Sequence, residues 1–97
     1  MNPEKWNKMS FVNQMGNIGS EFSRIVYWQE LGDKEKKENA LWRTLELIDL
    51  TMVQRKSREI FRLREVVCDL FLDKNIYKVS VNSLKNYFLQ FALLANK

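Results

Sequence analysis

The chain contains no histidine. That absence removes the Ser–His and Cys–His nucleophile pairs, the usual zinc sites and the commonest general base near neutral pH. The single cysteine, Cys68, has no partner for an internal disulfide, and one thiolate cannot complete a structural zinc site. Set between Val67 and Asp69 in a helical segment, it reads as a small, half-buried core residue. One Pro and three Gly in 97 residues are too few for the tight turns of a sheet-rich fold. No apolar run approaches the roughly eighteen residues of a membrane span. Met1 to Gly16 lacks the continuous apolar segment of a signal peptide, so the expected location is the cytoplasm. Carboxylates with magnesium are the metal chemistry left open, and no spacing marks them. No catalytic, cofactor-binding or metal-binding residue is assigned.

What the chain does have is helical periodicity, four times over. Met15, Ile18, Phe22 and Ile25 form one stripe. Leu41, Leu45, Ile48 and Met52 form the second, and Ile60, Leu63, Val67 and Leu70 the third. The fourth is Leu84, Phe88, Phe91 and Ala95. Residues at this spacing share one face of an α-helix, and each face needs a surface to bury it. These stripes, without Ala95, are the expected core. The expected fold is all-α, a four-helix antiparallel up-down bundle formed as a single domain over residues 1–97.

End signals set the boundaries. Asn2 as N-cap, Pro3 in the first turn and Glu4 at the positive end of the dipole start a helix that runs to about Glu30. Gly32 suits a left-handed stop. Asp33 caps the second helix, whose polar first turns, Lys34 to Asn39, face water and which extends to about Val53. The next boundary lies within Thr51 to Ser57, with Ser57 as the cap of the third helix. A single helix running through both is the alternative, but its apolar rhythm would fall on Arg55, Lys56 and Glu59. The third helix ends near Asp73 to Asn75. Ile76 to Val81 forms a short extended connector, and Ser80 or Ser83 caps a last helix reaching about Asn96.

Four features stand out. In the first helix Gly16, Gly19, Ser20 and Ser23 make a small-residue strip beside the stripe. Two mid-helix glycines cost about 0.5–1 kcal/mol each, which the close approach of another helix would offset. Met9 and Tyr27 flank the strip, while Trp6 and Trp28 fall elsewhere on the helix. The second feature is the basic N-terminal end of the third helix. Arg55, Arg58 and Arg62 lie opposite its apolar stripe and Lys56 adds to the positive end, with Glu65 and Asp69 further along, the reverse of what the helix dipole favours. The pairs Arg55–Glu59, Glu59–Arg62 and Arg62–Glu65 would compensate locally. These four cations are the candidate contact for an acidic protein surface or an anion.

The third feature is the reach of Asp49, which can pair with Arg24 or Arg64 between helices. The fourth is surplus apolar surface on the last two helices. Leu89 and Leu93 project away from the Leu84–Phe91 face, and Phe61, Cys68 and Leu72 flank the third stripe. A small bundle cannot bury a helix on every side, so Leu89, Leu93, Phe61 and Leu72 are the candidate homodimer interface. The function expected is therefore a non-catalytic protein-interaction or assembly module. The alternative is a small regulator binding nucleic acid through the basic end, which a net charge of +4 permits.

The runs Leu45 to Thr51 and Arg58 to Leu70 together resemble a group of small, uncharacterised prokaryotic all-helical proteins. That likeness implies helices and no activity or site. Small helical ribonuclease domains that partner nucleotidyltransferases share the expected architecture. Their signature needs an Arg followed by a His, which this chain cannot supply.

Overall fold

The computed structural model describes residues 2–72 and 79–95, and among these every regular element is helical. Five helices follow in chain order: α1 (Pro3–Asn7), α2 (Phe11–Leu31), α3 (Lys34–Arg55), α4 (Arg58–Phe71) and α5 (Val81–Ala95). The C-terminal limit expected for the third helix, most of the connector and Asn96 lie outside the described residues.

The caps expected for the first three helices are in place, because at each start one orphan N–H of the first turn finds the cap's side-chain oxygen. Asn2 Oδ1 accepts from Glu4 N at 2.8 Å, and Asp33 Oδ1 from Lys36 N at 3.0 Å. Ser57 Oγ accepts from Glu59 N at 3.1 Å. Of the two serines offered for α5, Ser80 does the capping, taking Ser83 N at 3.1 Å. Gly32 stops α2 in the left-handed region at φ 77°, with Asp33 N closing onto Trp28 O. Lys56, also left-handed at φ 51°, separates α3 from α4 and disposes of the continuous-helix alternative.

The first helix departs from expectation. It is broken at Lys8–Ser10, where Ser10 starts α2 by accepting from Asn13 N. The reason lies in Trp6. Nine residues at about 100° each would put Trp6 on the side of a straight helix opposite Met15. The break turns it inward, fully buried, with its indole Nε1 donating to Thr51 Oγ1 at 3.0 Å.

α2 is the central element, packing along α3 on one side and α5 on the other, while α4 and α1 lie on α3. The expected core is buried except Met52 and Leu70, which are partly covered at its margin. Aromatic rings fill the α2–α5 seam: Phe22 meets Phe88 and Phe71, and Phe11 meets Phe91 edge-on. Gly19 lies at this seam and is buried, whereas Gly16 has open space around its α-carbon. Asp69, expected on the solvated face of the third helix, is buried.

Buried polar groups tie α1 to the ends of α2 and α3. Gln14 is fully buried and uses its whole amide. Its Nε2 donates to Trp6 O at 2.7 Å and to Gln54 Oε1 at 2.8 Å, and its Oε1 accepts from Arg55 Nε at 2.8 Å. Satisfied in this way, a buried amide costs little; with one partner removed it costs about 1–3 kcal/mol.

Candidate functional site

The four cations proposed from sequence do not form one patch. Arg55 is the last residue of α3 and, though exposed, reaches across to bond Gln14, with its guanidinium carbon 5.1 Å from the Phe11 ring centroid. Lys56 is the exposed C-cap, and Arg58 opens α4 beside Phe61. Arg62 stands a turn further on, at the rim of a groove between α4 and α5. Glu59 receives the Tyr87 hydroxyl at 2.5 Å. Burial, reinforced by that bond, raises the Tyr87 pKa well above its ordinary value.

The proposed dimer residues also divide. Leu89 borders a groove of about 320 Å³ with Gly16, Ser20 and Ser23 of α2. Phe61 instead lies in a hollow with Met52, Lys56 and Arg58. Leu72, eleven residues after Phe61 and so about 20° from it around α4, shares the Phe61 side. Leu93, four residues after Leu89, stays with α5. All four are more than half exposed.

Sequence reasoning missed the outer face of α3. Trp42 is 64% exposed and Val53 76%, separated by eleven residues and therefore on one line along the helix. Between them a shallow hollow of about 370 Å³ is floored by Leu45 and Leu50 and edged by Asp49 and Arg64. Arg64 Nε meets Asp49 Oδ1 at 2.6 Å, the helix-to-helix pair that the sequence offered; Arg24 bonds Glu21 instead. The hydrogen bond to Asp49 is the main cause of a raised Arg64 pKa. Arg64 Nη1 also lies 3.8 Å from Cys68 Sγ. Phe61, on α4, borders a separate hollow with Met52 and Lys56 near the C-terminal end of α3. The signal was available, since Trp42 and Val53 have helical spacing, but both sit about a quarter turn away from the stripe that the core claims.

The groove between α4 and α5 that Arg62 rims, of about 270 Å³, runs over Leu63, Val66, Val79, Leu84 and Tyr87. Among the described residues, no cluster of His, Cys, Asp and Glu side chains is arranged to hold a metal ion, and no helix is long and apolar enough to cross a membrane. No family model matches the chain, and neither the curated proteins nor the solved structures contain a significant match.

Proposed function

We propose that the protein is a non-catalytic, cytoplasmic interaction or assembly module whose contact surface is the outer face of α3 and α4. The observation that carries this reading is the exposure of Trp42 and Val53 on one line of α3 beside the Arg64–Asp49 pair, with Phe61 exposed on α4 next to Met52 and Lys56. Contiguous large apolar side chains in water mark association surfaces, and Trp and Arg are the residue types that most often dominate binding energy there. Covering each would contribute about 1.5–3 kcal/mol.

The four long helices are read as an antiparallel up-down bundle. Contacts that run in opposite chain directions support this: Gln14 with Gln54 but Glu21 with Arg43, and Asp49 with Arg64 but Lys37 with Phe71. In that arrangement the α3–α4 face is an outer surface that none of the described helices covers.

Replacing Trp42 by the photoreactive residue benzoylphenylalanine and irradiating the protein in cells tests the function. Crosslinks to a protein, abolished by Phe61→Glu, are the expected result. Crosslinking to nothing, or to nucleic acid alone, would overturn the reading.

A further inference from the structure

We propose that a second copy of this chain covers the α3–α4 face, the two α3 helices crossing antiparallel about a two-fold axis. The inference rests on the interaction reading above and names its partner. Charge along the exposed line of α3 is segregated. Glu35, Glu38, Glu46 and Asp49 all lie within about 40° of Trp42 around the helix. The cations of the same face, Lys56, Arg58 and Arg64, stand at the C-terminal end of α3 and on α4.

A two-fold interface must be complementary to itself. Trp42 and Val53 lie about 16 Å apart at 1.5 Å per residue. An axis perpendicular to α3 at their midpoint sets Trp42 of each copy on Val53 of the other. The same operation brings Glu38, one turn before Trp42, opposite position 57, between Lys56 and Arg58 of the second copy. Glu46 then falls opposite the second copy's Asp49, a carboxylate already paired with Arg64 of its own chain. A parallel pairing would instead set acid on acid along the whole line. The antiparallel register thus matches the apolar pair Trp42–Val53 and sets Glu38 on cations at both ends, and Phe61, beside Met52 and Arg58, widens the contact there.

Charge reversal tests the register on the full chain, by light scattering coupled to size exclusion at micromolar concentration. Wild type should run as a dimer. Glu38→Lys alone, and Lys56→Glu with Arg58→Glu alone, should each weaken dimerisation at least about tenfold, since each sets like charges together at both ends. Mixed in equal amounts, the two variants should recover a heterodimer of wild-type affinity, because position 38 again faces opposite charge at both ends. Circular dichroism should show both variants fully helical, the altered residues being exposed. A monomeric wild type, reversal without effect, or failure of the mixture to recover would overturn the proposal. So would dissociation by Leu89→Glu with Leu93→Lys while Glu38→Lys stays dimeric, which would place the interface on α5. If wild type is monomeric yet residue 42 crosslinks to another protein, only the self-pairing fails. If it crosslinks to nothing, the interaction reading fails with it.

Discussion

A Cβ built on Gly19 would stand 2.8 Å from the Cβ of Phe88, closer than two such carbons can approach. Phe88 cannot yield by rotating, because its Cβ is fixed to the α5 backbone, so any side chain at position 19 pushes α5 away from α2. Gly16, one turn earlier, meets nothing within 4 Å. Gly19→Ala should therefore destabilise the protein by about 1–3 kcal/mol despite the better helix former. Gly16→Ala should stabilise it by about 0.5–1 kcal/mol. Denaturant midpoints of the two variants check this, and equal shifts of the same sign would refute the close approach.

Arg55 and Arg58 look equivalent in the sequence and should behave differently. Arg55→Ala leaves the buried Gln14 Oε1 without its donor, at a cost of about 1–3 kcal/mol. Arg58→Ala removes an exposed side chain and should stay within about 0.5 kcal/mol. Thermal unfolding of both reports the contrast.

The Trp6–Thr51 hydrogen bond joins side chains 45 positions apart. Thr51→Val preserves shape but leaves the indole N–H buried without an acceptor, so a loss of about 1–3 kcal/mol is expected. Trp6→Phe in the Thr51→Val background removes the orphaned donor, and a double-mutant cycle should show coupling between the two sites.

Tyr87 gives a pH dependence with a definite sign. Its hydroxyl has an ordinary pKa of 10.0 and a higher one in the folded protein. The native state therefore holds this proton where the unfolded chain has released it. The resulting stability is complete below about pH 10 and is lost as pH rises beyond it. The melting temperature should fall above pH 10 in wild type and fall less in Tyr87→Phe. Parallel declines would show that other groups govern the alkaline limb.

The parts of this fold legible in the sequence are those that one helix records about itself. The four stripes name the buried face of each long helix, Asn2, Asp33 and Ser57 name starts, and Gly32 names a stop. The cost of glycine inside a helix pointed to a close approach, although only packing distinguishes Gly19 from Gly16. The missed parts depend on pairs distant in sequence. Gln14 and Thr51 are polar, and their burial follows from partners that no local pattern specifies. Trp6 lay on the wrong side of an unbroken helix, and with only Ser10 to mark the break, periodicity gave no reason to interrupt it. The apolar face at Trp42 was hidden for a different reason, since a stripe search credits the wider face of a helix and passes over the narrower one. The candidate dimer residues were grouped by hydrophobicity alone, and neither spacing nor composition says that Phe61 and Leu89 border different grooves.

The five residues of α1 are too few to hold a helix alone in water, where about 12–15 are marginal. Its order is therefore borrowed from Thr51 and Gln14, which exist as a docking place only when α2 and α3 are already side by side. α1 is a conditional element, a latch whose closure reports that the two longest helices have paired. Indole emission from Trp6 would separate that event from the melting of the rest, since opening the latch exposes one ring and leaves the other four helices with their own contacts.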